Sequence, residues 1–195
     1  MMESRLQDRR EVILKAAIAT LREHGFSGFT QPRVAKRADV RQSHLTYYFP
    51  TRLALLEGVA RVAVDGQLAA LQSIVDLPSV PAVIRHITAM IGRHENTRVM
   101  MALAQAADEE PSIRSLFREL ADGIVSRLRQ LLDNLHLAVT EEQVKLIHSL
   151  SVGLAVVDLA TQRPHSKRRV EAILQSLFAM FASKDRNSIG REGGG

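Results

Sequence analysis

The chain has 195 residues, of which 46% are hydrophobic, 24% are charged and none is cysteine, and its formal net charge is +5. That length suits one generous domain or a small one joined to a medium one, and the composition describes a packed globule, not a disordered chain. The absence of cysteine excludes disulfides, thiolate metal sites and thiol nucleophiles.

The opening MMESRLQDRR is charged and has no apolar core with a small-residue cleavage site behind it, so no secretory signal is expected. No run approaches the ~18 uncharged apolar residues that a bilayer span needs, so no membrane partner and a cytoplasmic location are expected. Apolar residues recur at helical spacing almost throughout, and no convincing strand alternation occurs. The reading is an all-α protein of about nine helices.

The first helix is expected over residues 5–23, with Ile13, Leu14, Ala17, Ile18 and Leu21 inward and Gly25 as its stop. Thr30 is placed to cap a second helix with Pro32 in its first turn and Val34, Ala35 and Ala38 as its inward edge. Asp39 tolerates left-handed backbone and breaks the chain. A third helix over 41–49 carries Leu45 and Phe49 inward. Pro50 ends it, and Thr51 caps a long fourth helix running towards Ile74. A two-proline linker at 77–81 precedes a helix marked by Val83, Ile84, Ile87 and Ile91, and a short segment near 100–107 follows. Pro111 suits the first turn of a helix to Leu135. Thr140 with Gln143 reads as a capping box for a segment to about Thr161, and residues 170–181 make the last helix. The tail, 184–195, is polar and Gly-rich and is expected to be disordered. The domains are read as 1–50, 51–183 and that tail.

Charge is unevenly spread. Residues 1–52 hold ten Lys and Arg (Arg5, Arg9, Arg10, Lys15, Arg22, Arg33, Lys36, Arg37, Arg41, Arg52) against five acids (Glu3, Asp8, Glu11, Glu23, Asp39), a net of +5. The remaining 16 basic and 16 acidic residues cancel. A local basic surface is the footprint of a phosphate-binding module, although a solubility bias gives the same imbalance.

Within this region, residues 30–52, TQPRVAKRADVRQSHLTYYFPTR, have the layout of a DNA-reading helix-turn-helix. The outward residues of the second helix, Arg41, Gln42, Ser43, His44 and Thr46, all form hydrogen bonds and suit base edges. Arg pairs with guanine, Gln with adenine, and Thr meets the thymine methyl. Thr30, Tyr47, Tyr48 and Arg52 are better placed for phosphates. Tyr47 and Tyr48 could instead be core aromatics with surface hydroxyls.

Gly25-Phe26, Phe29-Thr30, Val34-Ala35, Ala38-Asp39-Val40, Leu45, Tyr47-Tyr48-Phe49-Pro50, Arg52 and Leu55-Leu56 together resemble the N-terminal domain of TetR-family transcriptional regulators. The likeness covers about residues 9–60. It implies a homodimeric, all-helical repressor with an N-terminal three-helix DNA-binding domain. A second, helical domain would dimerise, bind a small-molecule effector and release DNA, with no cofactor, metal or catalytic residue. Arg41, Gln42, Ser43, His44 and Thr46 would then face bases, and Thr30, Tyr47, Tyr48 and Arg52 would touch phosphates. Three positions depart from the family pattern. Asp39 stands where Gly is common, Arg41 where Ser often caps the recognition helix, and Ser43 where Gly allows close approach. Asp39 and Gln42 as a D-x-x-Q capping box would replace the missing cap.

One short recognition helix reads too few base pairs, so two copies are needed on a pseudo-palindromic stretch of double-stranded DNA. The expected interface lies on the last two long helices, through Leu146, Ile147, Leu150, Leu154, Val157 and Leu159 on one and Ile173, Leu174, Leu177, Phe178 and Phe181 on the other. The same residues could simply close the monomer core. An effector pocket is expected among Met90, His94, Met100, Met101, Leu103, Phe117, Leu120 and Ile124, where Met side chains suit an adaptable apolar cavity, or these too are plain core. His86, Met90 and His94 fall at i, i+4, i+8 and would share one helix face, which suits a pocket lining better than a soft-metal site. No phosphate loop or GxSxG appears, and no nucleophile stands beside a base. An enzyme or carrier with an incidental helix-turn-helix-like start, or a non-specific architectural DNA binder, is the alternative.

Overall fold

The computed structural model describes residues 2–189 and, among the described residues, contains α-helices and no strand. The nine helices are α1 (Met2–His24), α2 (Gln31–Arg37), α3 (Gln42–Tyr48), α4 (Arg52–Gln72), α5 (Val80–Ile91), α6 (His94–Glu109), α7 (Pro111–Asn134), α8 (Glu141–Thr161) and α9 (Ser166–Ile189). The all-α expectation therefore holds. Of the expected tail, 184–189 continue α9, and 190–195 lie outside the described residues.

Local chemistry accounts for several boundaries. Gly25 takes φ +65 directly after α1, a conformation open to glycine without a Cβ clash. The Thr51 hydroxyl accepts from the Ala54 N–H at 2.9 Å and caps α4. At α8 the capping box is complete: Thr140 Oγ1 accepts from the Gln143 N–H, and Gln143 Oε1 accepts from the Thr140 N–H at 2.7 Å. Two expected caps fail. Thr30 occupies the cap position of α2 without bonding its side chain to the helix. The Asp39–Gln42 box is also absent, because Asp39 sits at φ 52 inside the turn and extended Arg41 is the N-cap of α3, again without a side-chain bond. The start of α3 is held instead by its backbone, with the His44 and Leu45 N–H groups both donating to the Arg41 carbonyl.

The segment near 100–107 is part of a longer helix, α6, and α9 begins at Ser166, ahead of the expected Val170. The shared face of His86, Met90 and His94 does not exist. Gly92 ends α5 and His94 opens α6, so the i, i+8 relation spans a helix break. By length and composition alone, α8 is apolar enough to cross a membrane, and 17% of that stretch is buried. Counting uncharged runs overlooked it because Lys145 and Asp158 interrupt the apolar sequence.

The chain divides into two compact units. One takes the residues up to Gln67 with Arg98–Leu120, and the other takes Leu68–Thr97 with the residues from Ala121. The first unit is built on Ile13, Leu21, Phe29, Val34, Leu45, Phe49, Leu55, Leu56, Leu103 and Ile113, all buried. In the second, α9 packs on α5 and α8, and the core includes Ile84, Ile87, Leu131, Val144, Ile147, Leu174 and Phe178.

Candidate nucleic-acid interface

In the first unit α2 packs on both α1 and α3, so α3 stands on a base of two helices. Leu45 is fully buried and Phe49 nearly so, and these two fix which side of α3 faces out. Gly58 of α4 makes room for this seat: a Cβ there would stand 2.9 Å from both the Phe49 ring and Leu14. With the inner edge held, Arg41, Gln42, Ser43 and His44 are all exposed. Thr46 is half-buried, and its hydroxyl donates back to the carbonyls of Gln42 or Ser43, both at 3.1 Å. Its methyl, more than its hydroxyl, is then the group left for a base.

The flanking residues separate into free and engaged. Tyr47 is 73% exposed, whereas Tyr48 is partly buried against the core, and the two rings meet edge to face at 5.2 Å between centroids. Thr30 is exposed with its hydroxyl free of the helix. Arg52, expected on a phosphate, is occupied internally. Its Nε donates to the Phe29 carbonyl at 2.9 Å and its Nη2 to the Phe26 carbonyl at 3.0 Å, with the guanidinium over the Phe26 ring. Those bonds tie the start of α4 to the loop between α1 and α2.

Further cross-links stiffen the same unit. Gln31 Nε2 donates to the Phe49 carbonyl at 2.7 Å, joining the start of α2 to the end of α3. Arg33 Nη1 donates to the Gly28 carbonyl, and Arg37 pairs with Glu23 at 2.6 Å. The hydrogen bond from Arg37, with its charge, holds the Glu23 carboxyl below its ordinary range. Several basic residues of the N-terminal cluster thus serve the fold, while Lys36 and Arg41 remain exposed on α2 and at the start of α3. The arrangement is a short polar helix on a rigid base, with cations around it. Such a helix fits the ~12 Å major groove and offers hydrogen-bonding groups to base edges.

The expected effector residues fall into both units. Leu103 and Leu120 are buried, Met100 and Phe117 pack on the first core, and Met101 is exposed. In the second unit Met90 is half-buried on α5 and Ile124 packs on the core. His94 Nε2 lies 2.8 Å from Oδ2 of Asp158, a buried α8 carboxylate that also accepts from the Ser166 hydroxyl. That pairing joins residues 64 apart in sequence, and nothing in the local pattern signals it.

The expected dimer residues separate by burial. Leu174, Leu177, Phe178 and Phe181 lie in the second core, and Leu150 and Leu154 pack on it. These four α9 residues thus lie where the alternative, closing the monomer core, puts them. Leu146, Val157 and Ile173, all expected at the interface, are exposed, as are Val152 and Met180, which lie outside that expectation.

Residues 13–59 match the family described as bacterial regulatory proteins, tetR family. The HTH-type transcriptional regulator RutR of Escherichia coli K12 is 37% identical over 65 residues, covering 33% of this chain and 31% of RutR. The match therefore spans about a third of that relative's length. A transcriptional regulator from Rhodococcus sp. Rha1 superposes with a TM-score of 0.80 at 22% identity, covering 90% of this chain and 96% of its own. The multidrug binding protein EbrR complexed with imidazole does so at 0.66 and 23%, covering 87% and 94%. At these identities the structural likeness concerns the fold.

Proposed function

From the match of residues 13–59 to the tetR family of bacterial regulatory proteins, we propose that the chain is a member of that family and a sequence-specific DNA-binding transcriptional regulator. It acts as a homodimeric repressor in the cytoplasm, and a small molecule releases it from a pseudo-palindromic operator. The observation that carries this reading is the exposed row Arg41, Gln42, Ser43 and His44 on a helix whose opposite edge, Leu45 and Phe49, is buried. A polar face held outward on a seated helix serves base reading, and the neighbouring cations serve phosphates.

Arg41 and Gln42 are assigned to bidentate base contacts, with Ser43, His44 and the Thr46 methyl beside them, and Thr30, Tyr47 and the Tyr48 hydroxyl to the backbone. The exposed apolar residues Leu146, Val152 and Val157 of α8 and Ile173 and Met180 of α9 are assigned to the second copy. Large apolar side chains on one pair of helices are what a two-fold interface would cover. Effector binding is supported by the likeness in fold to EbrR, a protein described as multidrug binding. Within the second unit Met90, His94 and Ile124 remain its candidate contacts. An effector preference of ~1–3 kcal/mol for the released state is enough to change operator affinity 5- to 150-fold.

The test is selection from a randomised duplex library by the purified protein at moderate salt. An enriched palindrome supports a dimeric, sequence-reading regulator. A bound fraction with no enrichment rejects it.

A further inference from the structure

A helix that reads bases has to be aimed as well as exposed, and α3 is only seven residues long. It spans about 10 Å, so a tilt of about 10° at one end displaces the other by roughly 2 Å. Side chains that act together must be held to within about 0.5 Å. The angle of α3 therefore needs a restraint of its own, beyond the one that fixes its depth.

The two ends of α3 are held differently. Its start, which carries Arg41 and Gln42, has no side-chain cap. Leu45 is fully buried, but apolar packing is non-directional and sets depth and face more than angle. The far end is clamped at Phe49 by three other helices. Gln31, the first residue of α2, donates from Nε2 to the Phe49 carbonyl at 2.7 Å. The Arg10 guanidinium of α1 lies 5.3 Å from the centre of the Phe49 ring, and Gly58 of α4 leaves that ring its room. Of these contacts only the hydrogen bond holds the backbone at the end of α3, and it does so with a preferred direction. The carbonyl it takes lies beyond the last turn, where no intrahelical donor follows.

We propose that Gln31 is a positioning residue for base reading. By holding the Phe49 carbonyl it sets the angle at which α3 presents Arg41, Gln42 and Ser43, and it does not itself touch DNA. The inference rests on the base-reading role assigned to α3. Gln31 also neighbours Thr30, a residue assigned to phosphate, so the test has to separate positioning from a backbone contact.

The experiment measures the affinities of the full-length protein, Gln31→Met and Gln31→Lys for a library-selected duplex and a scrambled duplex of equal composition, over a range of salt. Met keeps the length and helix propensity of Gln without a donor, and Lys keeps a donor. Gln31→Met should lower the selected-to-scrambled ratio by about ten-fold or more, the discrimination carried by one bidentate base contact. Its affinity for the scrambled duplex and its salt slope should stay at the wild-type values. Gln31→Lys should bind both duplexes more tightly through its added charge and keep the ratio near that of the wild type. An unchanged ratio in Gln31→Met would overturn the positioning role. So would an equal loss on both duplexes, which a phosphate contact or a general loss of fold would give, or a Gln31→Lys ratio as low as that of Gln31→Met. A wild-type protein without preference between the duplexes would instead overturn base reading by α3, and this inference with it.

Discussion

The guanidinium carbon of Arg52 lies 4.4 Å from the centre of the Phe26 ring while the same group donates to the Phe26 and Phe29 carbonyls. This one side chain joins α4 to the loop that precedes the helix-turn-helix. Arg52→Ala should cost ~1–3 kcal/mol of stability, read as a lower urea midpoint, because two charge-assisted bonds and a cation–π contact are lost together. DNA affinity should fall alike on all sequences. An unchanged midpoint with a salt slope reduced by about one would instead return Arg52 to a phosphate.

Gln42 stands exposed one residue inside α3, with no core role to lose. Gln42→Ala should therefore cost ~1–3 kcal/mol of binding at one base position of each half-site and leave the other positions as they were. Binding measured against a set of single-base operator variants distinguishes this outcome from a uniform loss, which would contradict base reading.

The interface assignment separates two faces of the same helical pair. Val157→Asp, at an exposed site, should turn dimers into folded monomers in sedimentation, whereas Leu174→Asp, at a fully buried one, should unfold the second unit. A Val157→Asp protein that remains dimeric would move the interface elsewhere.

His148 of α8 is half-buried, and burial lowers its pKa from the ordinary 6.5. The unfolded chain then binds the proton more readily than the folded one. Its contribution to stability is complete above about pH 6.5 and is lost as pH falls from there through the lowered folded value. Denaturation midpoints should fall between about pH 7.5 and about pH 5.5, and His148→Gln should flatten that part of the profile. An identical slope in the variant would assign the pH dependence to other groups.

Much of this was legible in the sequence, and the reasons are local. The Thr140–Gln143 box and the Thr51 cap lie within three residues of their partners, so their chemistry is written in the pattern itself. Leu45 and Phe49 at i, i+4 fixed which edge of α3 is buried. The errors came where distant parts of the chain decide. Periodicity ran through Gly92 because residues on both sides kept helical spacing, and only the backbone shows that α5 stops there. Arg52 looked free because its carbonyl partners lie 23 and 26 residues earlier. On α9, Leu174, Leu177, Phe178 and Phe181 lie in the core while Ile173 and Met180 are exposed, a division that composition alone cannot make when both faces carry large side chains.

The central claim is that α3 reads sequence. Its most direct test compares the affinity of the full-length protein for a library-selected duplex with that for a scrambled duplex of equal length and composition, at one fixed salt concentration. The prediction is binding to the selected duplex tighter by about 10³-fold or more. Equal affinities, both falling together as salt rises, would show a protein that holds phosphates without reading bases.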